Sequence, residues 1–592
     1  MTLSLTRRTV TLLLGVSALT APALAKSAGS SADNAFAKLS ARWLDAAMRA
    51  DPVGATQTGD HRFDGEIDDM SAAGRAARLA VWKGFIAELN GIDRTALSRD
   101  NQVDAALLAG ALGYAIWDED VFQSWAWDPQ AYSSLAGNSL YALMAREFAP
   151  LPDRMRSAIS RMEKLPALFA QMRDNLVPAR VPAIHAETVA RQNGGVTEIV
   201  DGMVLVNAGV LDAAEKVRLA KAADALKAAV AEHQTWLDKT LLPNAKGDFR
   251  IGAKLFDEKL AFTLNSPLSR KEIRERAEAA VVRTRAAMYE VARRALAGTP
   301  GAPPMPDAPS AAEQQTVIEA ALALGYAQRP ARDKVVEASK EALARATDFV
   351  KAKDLITLPD APVEVVLMPV FSQGVAVAYC DSPGPLDKGM KTFFDVSPIP
   401  ADWTDAQAAS FLREYNSYGI QDVAVHEAMP GHYVQLWHAN GCPSIIRAVL
   451  GSGSFVEGWA VYAEGMMVEQ GFRGDEPLYK LAQLKVLLRT ITNAILDQAL
   501  HVDNISKEEA MHLMTVTAFQ QEREASGKWT RASLSSTQLS TYFVGVSEHN
   551  AIRAEAERRG GFDLKAYHDK VLSYGSAPAR YVRALMFDEP IV

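Results

Sequence analysis

The chain predicts a mainly α-helical protein with a small β-sheet set beside one helix. Three observations carry this. Apolar residues recur at helical spacing through most of the length, one stretch between Pro362 and Val396 switches to β-rich runs, and a histidine-bearing helix follows about thirty residues later.

The elements follow in chain order. "MTLSLTRRTVTLLLGVSALTAPALAKS" opens with Arg7-Arg8, continues as an apolar run from Val10 to Leu19 and ends in Ala23-Leu24-Ala25. That is the pattern of a secretory signal peptide cut after Ala25, and the apolar run is too short to remain as a membrane span. Thr6-Arg7-Arg8-Thr9-Val10 fits a twin-arginine signal as well as it fits an ordinary basic start. A lipid anchor needs a cysteine at the cut, and the only cysteines are Cys380 and Cys442. The expected product is an exported protein, periplasmic or secreted, without a stable membrane anchor. Whether Cys380 and Cys442 pair is left open by the sequence.

Loss of residues 1–25 removes two arginines and no acid, which takes the formal charge from −8 to −10. A chain so acidic is a poor partner for nucleic acid or anionic lipid. Beyond residue 25, "FAKLSARWLDAAMRA", "AAEKVRLAKAADALKAAVAEHQTWL" and "KLAQLKVLLRTITNAILDQAL" read as amphipathic or buried helices. The stripe Leu484, Leu488, Ile491 and Ile495 is ordinary core. "GTPGAPPMPDAPSAAE", Gly298 to Glu313, is a loop between helical blocks. In the 362–396 stretch, "PVEVVLMPVF", "GVAVAYC" and "KTFFDV" are expected strands. They form either a sheet that offers its edge to a peptide backbone or a simple capping hairpin.

Thr404-Asp405-Ala406-Gln407 is a capping box for a helix running to Tyr415, and Gly419 punctuates before a second helix that carries His426. The motif there is "VHEAMPGHYVQ", Val425 to Gln435. A zincin helix carries H-E-x-x-H, whereas His432 stands six positions after His426. In an unbroken helix, six positions turn through about 600°, which puts the two rings on nearly opposite faces. Pro430 cannot donate to the carbonyl of residue 426, and Gly431 reaches backbone angles closed to other residues. A two-residue bulge at Pro430-Gly431 is therefore expected to return His432 to the face of His426.

A catalytic zinc takes three protein ligands and leaves a position for water. The third is sought in "SFVEGWAVYAEGMMVEQG", Ser454 to Gly471. Phe455, Trp459, Tyr462 and Met466 form one apolar face, while Glu457 and Glu464 share another face among Ala460, Val461 and Val468. Carboxylates on a helix apolar all round need a cation or hydrogen bonds. A metal on Glu457 supplies the cation, with Glu464 as its outer partner. His438, His501 and His549 are read as core or surface residues.

"HEAMPGHYVQ" followed by "EGWAVYAE" resembles the bacterial domain-of-unknown-function 885 family. "EGWAVYAE" is also similar to the gluzincin aminopeptidase segment whose first Glu is the third zinc ligand. The resemblance extends to "DPVGATQTGDHRFDGEIDDMS", "GDFRIGAKLF", "QLSTYFVG" and "FDLKAYHDKVLSYGSAPARYV". It implies one helical, zincin-like catalytic unit over 26–592 rather than several domains.

The expected function is an exported zinc-dependent peptidase. His426, His432 and Glu457 hold Zn2+, and Glu427 acts as general base. Tyr542 donates to the oxyanion with His568 behind it, or else Tyr542 is a packed aromatic. The substrate is a peptide or small amide. The alternatives are a metal-dependent hydrolase of a non-peptide amide or ester, and a non-catalytic exported peptide-binding protein. A serine hydrolase is excluded: no G-x-S-x-G elbow occurs, and "GSGSF" at 451–455 has the wrong spacing.

Overall fold

The computed structural model describes residues 30–368, 377–401 and 403–591. The expected leader, 1–25, lies outside the described residues, as does the start of the "GVAVAYC" run. Many helices open on reciprocal caps, at Ser30/Asp33, Asp212/Glu215, Ser269/Glu272, Ser310/Glu313, Thr404/Gln407 and Ser506/Glu509. Each satisfies two backbone donors that a helix start would otherwise leave bare. The cap at Ser310 ends the Pro/Gly-rich loop, so Ala311 to Glu313 are already helical.

The largest core joins distant parts of the chain. Helices Ser31–Ala50 and Arg99–Trp117 from the N-terminal region pack with Val335–Lys353, the sheet, and helices from 405 to the C-terminus. A second core forms among Pro129–Ala145, Leu151–Asn175 and Ala213–Trp236. Long helices Arg270–Leu296 and Pro477–His501 run against each other, and so do Gly453–Glu469 and Ser540–Arg559. The stripe Leu488, Ile491 and Ile495 is buried in that packing.

The segment "DPVGATQTGDHRFDGEIDDMS" ties these parts together. Arg161, fully buried, donates to the carbonyls of Pro52, Glu66 and Ser139 and to Thr56 Oγ1. Burial lowers its pKa to about 10, against the pull of Asp64, Asp68, Asp51 and Glu66, so it stays charged. His61 bridges Asp64 (3.1 Å) and Asp387 (3.1 Å) while its ring stacks 3.7 Å from Phe148.

The expected strands form β1 (Glu364–Leu367), β2 (Ala378–Asp381) and β3 (Phe393–Val396) in the order β1-β3-β2. β1 is parallel to β3 and β2 antiparallel to it. Among the described residues this is a mixed sheet and not a capping hairpin, and β2 is one of its edges. Arg146 closes one end of β2 by donating to the carbonyl and carboxylate of Asp381. Cys380 and Cys442 are both free thiols, so no disulfide joins them.

Candidate metal centre

Two helices meet at the H-E motif. Thr404 caps Asp405–Glu414 as expected, but the break that follows falls at Tyr415-Asn416. Gly419 lies inside the next helix, Ser417–Glu427, whose Asn416 cap accepts from Tyr418 and Gly419 N–H. That helix ends at Glu427, and a new one, His432–Asn440, begins at the second histidine.

The expected two-residue bulge within one helix is therefore replaced by a tight turn between two helices. Ala428 and Met429 N–H both turn back to the Ala424 carbonyl, and Gly431 N–H donates to Val425 at 2.9 Å. The Met429–Pro430 peptide is cis. A Cβ on residue 431 would lie 1.8 Å from the His426 carbonyl oxygen, so only glycine fits this approach. Trp459 Nε1 donates to the Pro430 carbonyl at 2.9 Å, which pins the turn to helix Gly453–Glu469.

This brings together the three residues expected to be ligands. His426 Nε2 and His432 Nε2 each lie 3.6 Å from the same oxygen, Glu457 Oε2. One donor atom from each residue falls within 4.8 Å of the others, and the two rings stand nearly perpendicular with centroids 4.8 Å apart. Separations of 3.6 Å are too long for hydrogen bonds and suit donors arranged around a common cation about 2 Å from each.

Behind His426, Nδ1 meets Glu464 Oε1 at 2.6 Å, so the Nδ1 proton points backward and the Nε2 lone pair faces Glu457. Glu464 is 1% exposed, and its other oxygen has no partner among the described residues. Burial disfavours a charged His426, but the facing Glu457 carboxylate and the hydrogen bond with Glu464 outweigh it and hold the imidazole pKa well above its usual value. The Glu457 carboxyl is held below its usual range: burial acts against this, and the two facing imidazoles prevail. These opposed shifts describe a negative nest that attracts a positive charge.

Glu427 reaches the same place from the end of its helix. Its Oε2 accepts the Cys380 backbone N–H at 3.1 Å, across from the β2 edge. Ser397 pairs with Val377, and backbone direction alternates along an antiparallel strand, so Ala378 and Cys380 turn away from β3 towards the Glu427 side. Burial raises the Glu427 pKa, against the pull of the two histidines.

Helix Ser540–Arg559 completes one wall. A Cβ at Gly458 would lie 2.5 Å from Gly545 Cα, and one at Gly545 would lie 1.9 Å from the Ser454 carbonyl. The crossing thus sits one residue from Glu457 and one turn from Tyr542. Tyr542 is partly buried, with its OH accepting from Arg531 Nη2 (3.0 Å) and Gln538 Nε2 (3.3 Å). A phenol oxygen that accepts twice keeps its own proton to donate elsewhere. Burial, then the Glu457 charge, raise its pKa, so the phenol stays protonated through neutral pH.

His568 does not join the site. Its Nε2 meets Tyr462 OH at 2.8 Å and its Nδ1 meets the Leu355 carbonyl at 2.8 Å, on the face of helix Gly453–Glu469 opposite Glu457. It is fully buried, and burial lowers its pKa to about 4. It packs the helix and does not face the Tyr542 hydroxyl. His438, His501 and His549 likewise meet backbone carbonyls.

The sequence reading missed Asp422, Cys380 N–H, Gln538 and Arg531. Asp422, four residues before His426 on the same helix face, was detectable as a further carboxylate on an apolar helix. Burial pushes its carboxyl well above the usual range and Glu464 adds to that. Arg531 and Gln538 carry no local signal, because another helix brings them in.

A family described as bacterial protein of unknown function (DUF885) matches residues 52–586. The structure is similar to that of a candidate lipoprotein of unknown function from Shewanella oneidensis. The TM-score is 0.78 at 34% identity, over 93% of this chain and 99% of that one. It also shares its fold with a candidate lipoprotein from Colwellia psychrerythraea, at TM-score 0.75 and 17% identity over 93% and 98% of the two chains. No curated protein matches. With the family matched over nearly all of its length, and the Shewanella protein aligned end to end, the chain belongs to the DUF885 family of bacterial proteins.

Proposed function

We propose that this protein is an exported zinc-dependent peptidase on a zincin-like helical scaffold. One observation carries the reading: two histidine Nε2 atoms converge on one Glu457 oxygen at 3.6 Å, with Glu427 beside them. Two imidazoles and a carboxylate, leaving room for water, are the donor set of a catalytic zinc site.

A bound zinc ion would supply Lewis acidity, polarising the scissile carbonyl and easing ionisation of a water. Glu427, with Oε2 held by Cys380 N–H, uses its other oxygen to accept the water proton and pass it to the departing amine. Its raised pKa suits both halves of that transfer. Tyr542 directs its remaining proton to the developing oxyanion. Glu464 keeps His426 in the Nδ1–H tautomer and aimed at the site. With the Cys380 N–H taken by Glu427, the outward Ala378 N–H and the Ala378 and Cys380 carbonyls at the β2 edge are the groups offered to an extended peptide, which favours peptides over small esters or amides.

For location, the proposal combines the N-terminal leader pattern with the candidate lipoproteins that share the fold. This chain has no cysteine near Ala25 to carry a lipid, so we read it as released into the periplasm or secreted.

The test is metal content and activity on one preparation. Purified protein should hold about one zinc per chain, lose peptide hydrolysis on chelation and regain it with zinc. Glu427→Gln should keep the zinc and lose about 10²-fold or more in kcat. A metal-free preparation with full hydrolysis, or a fully active Glu427→Gln, would overturn the reading.

A further inference from the structure

We propose that Arg531, steadied by Gln538 and Tyr542, is the seat for the C-terminal carboxylate of the substrate, so that the enzyme trims short peptides from the carboxyl end. This rests on the peptidase reading above and adds a substrate class and a cleavage direction to it.

Arg531 is an exposed arginine with no acid beside it among the described residues. Buried arginines elsewhere in this chain are satisfied either by carboxylates, as Arg447 is by Asp100 and Asp104, or by several backbone carbonyls, as Arg161 and Arg154 are. Arg531 has no carboxylate within ion-pair range among the described residues. Its Nη2 donates to two neutral oxygens, Gln538 Oε1 and Tyr542 OH, both at 3.0 Å. No described residue takes its Nε–H or Nη1–H donors. The side chain is held in place yet exposed, with the outer part of its fork open.

A second donor without an acid lies close by. One turn earlier on helix Glu522–Leu534, Lys528 is buried with Nζ on Asn493 Oδ1 at 3.0 Å, and it too has no acid partner. Burial, with Arg489 and Arg531 nearby, holds that ammonium well below its usual pKa. Lys485 answers Glu414 at 2.8 Å, and Glu524 lies 3.5 Å from Arg489. Arg531 and Lys528 are left as uncompensated donors. A guanidinium with two open donors in one plane matches a carboxylate in bidentate fashion, which an ammonium does not.

Position then selects which carboxylate. Tyr542 stands one turn from the Gly458–Gly545 crossing, next to Glu457 in the chain, and Arg531 Nη2 meets its hydroxyl at 3.0 Å, so the fork shares Tyr542 with that side of the cluster. A substrate carboxylate on Arg531 would sit next to the phenol that donates to the oxyanion. An internal cleavage site would put backbone amide, not charge, against the fork.

The test uses the full mature chain stripped of metal, so that binding is read without turnover. Three pools of neutral tetrapeptides serve as probes: free acids, C-terminal carboxamides, and carboxamides bearing one aspartate. Retention is measured by equilibrium dialysis with mass spectrometry. The free-acid pool should be retained at least tenfold better than the plain carboxamides. That preference should vanish in Arg531→Met and be partly kept in Arg531→Lys, with melting temperatures showing that both variants fold. Equal retention of acids and carboxamides, no retention of any pool, or a preference that survives in Arg531→Met would overturn the proposal. Preference for the aspartate carboxamides would do so too, because it would assign the fork to a side chain. Loss of zinc chemistry in the earlier test leaves these binding ratios intact, so the two readings fail separately.

Discussion

Replacing Glu464 by glutamine isolates what holds His426 in place. The carboxylate meets Nδ1 at 2.6 Å, is 1% exposed and lies behind the cluster, out of reach of substrate. Glutamine keeps an acceptor oxygen of the same reach and loses the charge. Removing such an outer partner costs about 10- to 100-fold in metal affinity, or about 1.4–2.7 kcal/mol. Asp422 decides where in that range the variant falls. Its carboxyl is held well above the usual range by burial first and then by the charge of Glu464. Once that charge is gone, Asp422 ionises more readily and returns part of the negative potential. The expected loss is therefore near the low end, about 10-fold, in contrast to the far larger loss when the ligand itself is removed in Glu457→Gln. Competition against a chromophoric chelator at neutral pH reads both. Affinity within twofold of the parent protein would show that Glu464 does not orient His426. A loss equal to that of Glu457→Gln would show that it is a ligand instead.

Three further outcomes follow from the same geometry. Tyr542→Phe should keep zinc and stability while kcat falls about 10²-fold, read by steady-state kinetics, since only the proton directed to the oxyanion is lost. Gly545→Ala puts a Cβ 1.9 Å from the Ser454 carbonyl, so the two helices must separate. Thermal melts should show a loss of about 1–3 kcal/mol, and activity should drop through displacement of Tyr542. His61 is a pH effect: burial opposes its charge, but hydrogen bonds to Asp64 and Asp387 prevail and raise its pKa. Its contribution is thus fully present below the unfolded value of 6.5 and lost as pH rises through the higher folded value. The melting-temperature gap between the parent and His61→Gln should be widest near pH 6 and narrow by pH 8.5; a gap that widens instead would refute the bridge.

The convergence of His426, His432 and Glu457 was legible because the signals for it are local. His-Glu at a helix end, Pro-Gly as a breaker and two glutamates seven apart on an apolar helix each constrain a few neighbouring residues. The form of the break was not legible. Pro430 and Gly431 forbid a continuous helix, but whether the chain bulges or turns depends on Trp459, which donates to Pro430 from another helix. His568 misled for the same reason: it was expected behind Tyr542, whereas packing put it against Tyr462 on the far face.

By itself the sequence determined the helical class, the caps, the small sheet and the three converging side chains, all properties of spacing and backbone chemistry within short windows. Tertiary structure alone decided which groups surround that cluster. The β2 edge meets Glu427 through one N–H, helix Ser540–Arg559 reaches Glu457 only because Gly458 and Gly545 remove two Cβ atoms at the crossing, and Arg531 arrives on a third element. Such contacts join residues tens to hundreds of positions apart. They are set by how whole helices bury their apolar faces, and no local pattern encodes them.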